Sequence, residues 1–318
     1  MDIFLSIVIN NIIPIFILVF LGYFLEKKFA LDINVLTKII LYAFVPAFAF
    51  TNIYSTEISA DLLRVILLHV LMLPLMFALG AGVNKLLKQP PGMAKSFENA
   101  LMFYNSGNIG IPLVTLVFSS APFIVGGGTP YLELALSVQV MTHLVQNLSL
   151  NTIGFINAGG EGMSLKSGLQ RVVKMPSPYA ILLAFLCNLL PFDVTATPVW
   201  SALVFLRSGM IGVALLTLGV QMAKAKIDFK KAMPWAASFC RLVGGPVLAF
   251  FLIKLFGMEG IIAQAVFISS STPTAVTVAV ISFECKGDTD FAAQAVALST
   301  LLSAVTMTTV VYLAQILF

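Results

Sequence analysis

Charge is scarce in this chain. Lys, Arg, Asp and Glu together make up 10% of its 318 residues, while 59% of the residues are hydrophobic. A soluble domain carries roughly a quarter charged residues. With a mean hydropathy of +1.00, this composition excludes an ordinary soluble protein and indicates a chain embedded in a lipid bilayer.

Cysteine and enzyme motifs are equally sparse. Cys187, Cys240 and Cys285 have no metal-ligand spacing and are interpreted as packing residues, so no metal is predicted. The chain lacks H-E-x-x-H, G-x-S-x-G and P-loop sequences. We therefore predict a protein that is not an enzyme, uses no cofactor and does not draw on ATP. Its net charge of +4 is explained by its basic loops, so no nucleic-acid partner is expected.

Ten apolar windows account for nearly all of the chain. Most reach about 18 residues or more, the length that crosses a hydrocarbon core roughly 30 Å thick. The predicted spans are 3–25, 36–53, 62–87, 97–118, 131–156, 177–194, 199–222, 233–256, 261–283 and 291–318. The sequence therefore predicts an all-α integral membrane protein with ten transmembrane helices.

Basic residues are concentrated in every second loop, and cytoplasmic loops are the ones that retain Lys and Arg. Lys27 and Lys28 follow the first span. The loops after the third, fifth, seventh and ninth spans hold Lys85, Lys88, Lys95, Lys166, Arg171, Lys174, Lys224, Lys226, Lys230, Lys231 and Lys286. Both termini are therefore predicted outside, with the plasma membrane as the expected location. The first span is not a cleavable signal, because its basic flank follows the apolar stretch.

Two polar interruptions break apolar spans at matching places in the two halves. Residues 105–112 read N-S-G-N-I-G-I-P, and residues 269–276 read S-S-S-T-P-T-A-V. Lipid cannot satisfy the backbone groups that such breaks free, so they survive where they line a cavity, and in transporters they mark the binding site. The predicted substrate-binding residues from these breaks are Asn105, Ser106, Gly107, Asn108, Gly110, Pro112, Ser270, Ser271, Thr272, Pro273 and Thr274. The alternative is that small residues here only permit close helix packing.

Polar residues elsewhere in the spans extend this predicted site. Gln139, His143 and Gln146 share one helix face and are included, although a histidine bonded to a neighbouring helix is the alternative for His143. Arg241 lies near mid-membrane and is included as an attractor of substrate, with bracing of the broken helices as the alternative. Arg207 is interpreted more readily as structural. No acidic residue lies centrally in any predicted span.

The two halves also show weak internal similarity. His69 stands five residues before Pro74, as Arg241 stands five before Pro246, and Pro112 corresponds to Pro273. Because each half holds an odd number of spans, the second would run through the membrane upside down. The predicted division is a first five-helix repeat at 1–158, a cytoplasmic linker at 159–175 and an inverted second repeat at 176–318.

Four segments resemble the auxin efflux carrier family, which includes plant auxin exporters and bacterial permeases for organic acids such as malate or malonate. They are F-V-P-A-F-A-F at 44–50, N-S-G-N-I-G-I-P-L at 105–113, A-L-L-T-L-G-V-Q-M at 214–222 and S-T-P-T-A-V at 271–276. The resemblance implies a scaffold of the first, second, sixth and seventh spans, through which a homodimer is expected by analogy. It also implies a transport domain whose fourth and ninth helices cross where both are unwound. One departure is Gly212, which stands where the family usually has a proline.

The functional prediction is a secondary carrier that moves a small organic anion, a mono- or dicarboxylate, by alternating access around the helix crossing. A coupling proton or sodium ion stays open as a partner beside the lipid bilayer. A cation/proton antiporter or a channel of similar architecture stays open as an alternative. The lack of central Asp and Glu argues against the antiporter, because such a site normally uses carboxylates to bind sodium or protons.

Overall fold

Thirteen helices occur in the residues that the structure, a computed structural model, describes: 3–56, 60–159, 164–191, 193–225 and 227–318. They are α1 (Ile3–Phe29), α2 (Ile33–Tyr54), α3 (Ala60–Leu86), α4 (Pro91–Met102), α5 (Ser106–Phe118), α6 (132–159), α7 (Leu165–Val173), α8 (Pro176–Asn188), α9 (Pro198–Lys224), α10 (Ala232–Leu255), α11 (Gly260–Ser270), α12 (Thr277–Glu284) and α13 (Thr289–Leu317). In this part of the chain, the remaining extended pairing is limited to two isolated bridges.

Six of these helices are long and apolar enough to cross a membrane: α1, α2, α3, α9, α10 and α13. Large apolar side chains on them stay outside the core, such as Phe20, 70% exposed, and Phe205, 79% exposed. Exposed hydrophobic surface of this extent fits contact with lipid. An all-helical multi-pass membrane protein is confirmed, and the count of ten spans remains a prediction.

The predicted fourth and ninth spans are each built as two helices. Residues 103–105 separate α4 from α5, and residues 271–276 separate α11 from α12. The two interruptions pair with each other: Asn105 N donates to Pro273 O (2.7 Å), and Ala275 N donates to Phe103 O (3.0 Å). Tyr104 and Thr274 form an antiparallel bridge between them. Backbone groups that lipid could not satisfy thus bond inside the protein.

Several long helices contain a five-residue segment wound as a wider π turn. The segments are Val8–Ile12, Ile40–Phe44, Ser106–Gly110, Leu150–Gly154 and Cys240–Gly244. Four of them end two residues before a proline, at Pro14, Pro46, Pro112 and Pro246. Proline lacks an N–H and its ring clashes with the carbonyl four residues earlier, so a wider turn relieves the clash without ending the helix.

Two helices of the second half, α8 and α9, are shaped by the presence or absence of a proline. The predicted sixth span, 177–194, was too long: α8 ends at Asn188, and a short 3₁₀ turn follows at Val194–Ala196. Pro191 accounts for this, because a proline disfavours helical backbone in the residue before it. In α9, where Gly212 replaces the usual proline, the helix is continuous from Pro198 to Lys224.

The helices pack in two groups. In the first, α1 packs along α9, and α2 packs on α8 and α9. In the second, α10 packs on α13, α3 on α4 and α6, and α11 on α6, α10 and α13. The π segment of α5 touches both α6 and α9, so the first interruption lies where the two groups meet.

Close approach of α1 and α9 depends on Gly22 and Gly219. A Cβ at Gly219 would lie 2.6 Å from Tyr23 N and 2.8 Å from Gly22 Cα, and it would also clash with Val19 O. We expect Gly219→Ala to lower the unfolding free energy by about 1–3 kcal/mol, because the helices must separate. Thermal unfolding of the purified protein measures this.

Gly212→Ala is the matched control, since a Cβ at Gly212 meets nothing within 4 Å on the same helix. It should keep or slightly raise stability, because alanine is the better helix former by about 1 kcal/mol. Equal losses in both variants would contradict the close-packing account.

Candidate functional site

A cavity of about 270 Å³ lies between the two groups of helices, beside both interruptions. It is lined by residues of α2, α5, α6, α9 and α12 and by the segments before α5 and α12. The lining residues are Ile33, Asn34, Thr37, Ile40, Leu41, Val45, Tyr104, Asn105, Ser106, Gly107, Asn108, His143, Gln146, Asn147, Leu150, Thr217, Gln221, Ala275, Val276, Thr277 and Val280. None of these described residues is Asp, Glu, Lys or Arg.

Two helices begin at this cavity. Asn105 is the N-cap of α5, and its Oδ1 accepts a hydrogen bond from Asn108 N (3.0 Å). Val276 and Thr277 place the first turn of α12 in the same wall. The first turn of a helix presents backbone N–H groups without intrahelical partners and carries about half a positive charge. Both helix starts therefore place partial positive charge at the wall of the cavity.

Three side-chain nitrogens at the cavity are buried and have no hydrogen-bond partner: Asn105 Nδ2, His143 Nε2 and Gln146 Nε2. The other polar atom of each side chain is already bonded, which orients the group. Gln146 Oε1 accepts from Tyr104 N (3.2 Å), and His143 Nδ1 lies 3.0 Å from Ser106 Oγ. The amide nitrogens of Asn105 and Gln146 are donors, whereas His143 Nε2 donates or accepts according to the tautomer. A buried donor without a partner costs about 1–3 kcal/mol, so the two amides favour a ligand that accepts hydrogen bonds.

Gln139 joins the two interruptions and does not line the cavity. Its Nε2 donates to Ser106 O (2.6 Å), and its Oε1 accepts from Ser269 Oγ. Gly110 and Gly107 allow α5 to lie this close to α6. A Cβ at Gly110 would clash with Gln139, and one at Gly107 would lie 2.9 Å from His143 Cε1. Gln139 and Gly110 thus position the start of α5, which lines the cavity. Pro112 follows the π segment in the core.

Residues 270–274 of the second polar run lie behind the residues that line the cavity. Ser270, Ser271 and Thr272 are fully buried, and each hydroxyl donates to a carbonyl three residues earlier on its own chain. Thr274 Oγ1 donates to Ala100 O (2.9 Å), and Pro273 contributes its carbonyl to the pairing with Asn105. None of these five residues lines the cavity, which is reached from this side by residues 275–277.

Arg241 is fully buried and lies behind Tyr104, outside the cavity lining. Its Nη1 donates to Leu101 O (3.1 Å) and its Nη2 to Ser270 O. These carbonyls belong to the last turns of α4 and α11, where the breaks leave them without intrahelical donors. The guanidinium also stands 4.6 Å from the centroid of the Tyr104 ring. It forms no ion pair among the described residues, so its positive charge is not neutralised by a carboxylate.

Side-chain contacts join the two groups at the other end of the helices. Arg207 on α9 pairs with Glu133 on α6 at 2.6 Å, and Asn11 on α1 donates to Ser120 Oγ (3.1 Å). Arg207 thus has a structural partner. The cavity, in contrast, is bordered by the start of α2 at Ile33 and the end of α9 near Gln221.

Six predicted site residues line the cavity: Asn105, Ser106, Gly107, Asn108, His143 and Gln146. The prediction missed Thr217 and Gln221, which stand four residues apart on one face of α9, and Gln221 Oε1 is buried without a partner. Polar residues at this spacing in an apolar helix are a signal that could have found them. In the described chain, no group of three or more His, Cys, Asp and Glu forms a candidate metal site.

Comparison with known proteins gives the family. The family model described as membrane transport protein matches residues 7–311. An uncharacterised transporter of Methanothermobacter thermautotrophicus is 22% identical over 315 residues, covering 94% of this chain and 95% of the relative. An uncharacterised transporter of Methanocaldococcus jannaschii is 22% identical over 278 residues, 83% and 85% of the two chains. The chain belongs to the membrane transport protein family, and the resemblance to auxin efflux carriers is confirmed.

Proposed function

We propose that this member of the membrane transport protein family is a secondary carrier for a small organic anion, which binds in the cavity beside the two interruptions. One observation carries the proposal: two helix N-termini and three unpartnered nitrogens meet at a cavity whose described lining holds no acidic side chain. The helix N-termini and the two amide N–H groups, of Asn105 and Gln146, favour negative charge and hydrogen-bond acceptors over a cation.

The signs of charge around the breaks support the same proposal. Arg241 supplies positive charge to the C-terminal ends of α4 and α11. The N-terminal ends of α5 and α12 face the cavity, where no described side chain supplies negative charge. A carboxylate of the substrate completes this pattern.

The lining also limits the substrate. Most ligand pockets for drug-sized molecules measure about 300–1,000 Å³, so a cavity of about 270 Å³ fits a small mono- or dicarboxylate. Ile40, Leu41, Val45 and Leu150 give it apolar walls, and Gln221 Oε1 offers one acceptor. A substrate with a hydroxyl or N–H group opposite its carboxylate would use that acceptor.

Alternating access is proposed to operate between the two packing groups. The scaffold is α1, α2, α8 and α9, and the transport domain is the rest, with the interruptions of the fourth and ninth spans crossing. Two inverted repeats at 1–158 and 176–318, joined by the linker 159–175, would create this arrangement. A homodimer through the scaffold, a coupling proton or sodium ion and a plasma-membrane location are further parts of the proposal and follow from the family resemblance.

The cavity is proposed to open toward the cytoplasm in this state. It is bordered by the start of α2, which carries Lys38, and the end of α9, which carries Lys224, and the basic side of a membrane protein is cytoplasmic. Single cysteines at Ser55 and Thr129 should therefore react with an impermeant thiol reagent added outside intact cells. A cysteine at Lys88 should react only after the cells are opened, and the reverse pattern would invert the proposed orientation.

Flux into liposomes tests the function directly. Purified protein should take up labelled monocarboxylates or dicarboxylates with saturation, and unlabelled substrate on the far side should accelerate the exchange. Flux that does not saturate would instead indicate a channel. Proton movement driven by added sodium without any organic solute would indicate the cation antiporter, and tight binding of a cationic solute would overturn the anion proposal.

A further inference from the structure

The amphipathic helix α7 exposes an apolar stripe that the rest of the fold leaves uncovered. The stripe consists of Leu165, Leu169 and Val173, spaced four residues apart on one face, and each is 49–63% exposed. Each stripe residue is followed by a polar residue that is also exposed, so a polar row lies beside the stripe. This row consists of Lys166 and Gln170 and of Lys174, the C-cap of the helix. Residues 164–175 contain no acidic residue.

The opposite face of α7 is docked on the protein. Gly168 packs on α6, where a Cβ would lie 3.1 Å from Thr152 Cα. Arg171 pairs with Glu284 at the end of α12 (2.7 Å), and its guanidinium lies 4.2 Å from the centroid of the Phe155 ring. These contacts fix the rotation of α7, so the exposure of its apolar stripe is a consequence of the fold.

Chain connectivity places α7 at the level where membrane helices begin. Only residues 174 and 175 separate it from α8, and Tyr179 Oη, in the first turn of α8, donates to Val173 O (2.8 Å). The next turns of α8 expose Leu182, Leu183 and Leu186. The stripe therefore lies next to apolar surface that a membrane protein presents to lipid.

We propose that α7 is an interfacial helix whose stripe, Leu165, Leu169 and Val173, inserts among lipid chains while Lys166 and Lys174 bind anionic lipid headgroups. An apolar face bordered by lysines is the composition of helices that lie in the headgroup region. The two lysines extend beside the stripe and reach the phosphate level, as lysine stems do at interfaces. The occupant is the anionic leaflet, because the charge beside the stripe has one sign.

Insertion is tested with single cysteines carrying an environment-sensitive fluorophore, in full-length protein whose Cys187, Cys240 and Cys285 are replaced by alanine. The protein is reconstituted in vesicles of phosphatidylcholine and phosphatidylglycerol in equal amounts. Labels at positions 165, 169 and 173 should be quenched strongly by lipids brominated on their chains, and labels at positions 166 and 170 weakly. Equal quenching at all five positions would overturn the proposal, as would disulfide cross-linking of two copies through position 169.

Headgroup selection is tested by comparing brominated phosphatidylglycerol with brominated phosphatidylcholine as quenchers of the label at position 169. The preference for phosphatidylglycerol should fall about fivefold for each lysine removed in Lys166→Gln and Lys174→Gln, since each contributes roughly 1 kcal/mol near an anionic surface. Lys85→Gln, an exposed lysine at the end of α3, is the matched control and should leave the preference unchanged. An unchanged preference in the α7 variants would overturn the role of the lysines.

Discussion

Replacing Arg241 by glutamine is expected to lower the stability of the protein sharply while leaving carboxylate binding per folded molecule unchanged. The guanidinium bonds the carbonyls of Leu101 and Ser270, which end two interrupted helices in a fully buried position. Hydrogen bonds to charged groups contribute about 1.5–3 kcal/mol each. Because a glutamine amide is shorter and uncharged, we expect a loss of about 3 kcal/mol or more.

Thermal unfolding and carboxylate binding should be measured on the same preparation. Arg207→Gln is the matched control, because Arg207 is also an arginine within a span but pairs with the partly exposed Glu133. Exposed pairs contribute about 0–1 kcal/mol, so this control should unfold close to the wild type. An Arg241→Gln variant of normal stability and weakened binding would show that the arginine attracts the substrate and does not brace the break.

The positions of the helix breaks could be predicted from the sequence because unsatisfied backbone groups are so costly in lipid. Polar residues beside Pro112 and Pro273 interrupt apolar spans where a continuous helix would bury them at a cost, and both breaks are present. The π segments could not be predicted in the same way. A proline in a membrane helix can produce a kink, a break or a wider turn, and the outcome depends on which neighbouring groups can donate hydrogen bonds to the freed carbonyls.

The candidate site was predictable only in its first half. The run beginning at Asn105 lines the cavity, but the similar run at Ser270 turns its hydroxyls onto its own carbonyls. Composition does not distinguish these outcomes, because serine and threonine in an apolar interior can bond locally or face a cavity. Thr217 and Gln221 stand on the continuous helix α9, where no break marks a site, so the available signals were their spacing on one face and their place in the segment 214–222 that resembles the family.

The two paired interruptions contribute differently to the cavity. Asn105 and Pro273 join through the backbone, and Tyr104 and Asn105 line the cavity while residues 270–274 do not. The first strand contributes Tyr104 and Asn105, and the second contributes a wall that begins at Ala275. The equivalence of the two halves in sequence therefore does not extend to equal contributions of side chains to the binding surface.

Replacing Asn105 by aspartate is expected to abolish carboxylate binding without unfolding the protein. Aspartate caps a helix about as well as asparagine, so its carboxylate can still accept from Asn108 N, as Asn105 Oδ1 does at 3.0 Å. The unpartnered Nδ2 donor is lost, and a negative charge replaces it in a cavity whose described lining has no cation. A lost bond to a charged group and the added repulsion should weaken binding at least about a hundredfold.

Asn105→Leu separates the two roles of this side chain. It removes the donor without adding charge, so binding should fall about tenfold to a hundredfold, and it removes the cap, so stability should fall by about 1 kcal/mol. Asn188→Asp is the matched control, because it adds the same charge at the end of α8, outside the cavity lining. Equilibrium binding of a labelled carboxylate and thermal unfolding, measured together, give both quantities. Wild-type binding by a folded Asn105→Asp variant would place the anion elsewhere, because no carboxylate substrate could share this cavity with a second negative charge at no cost.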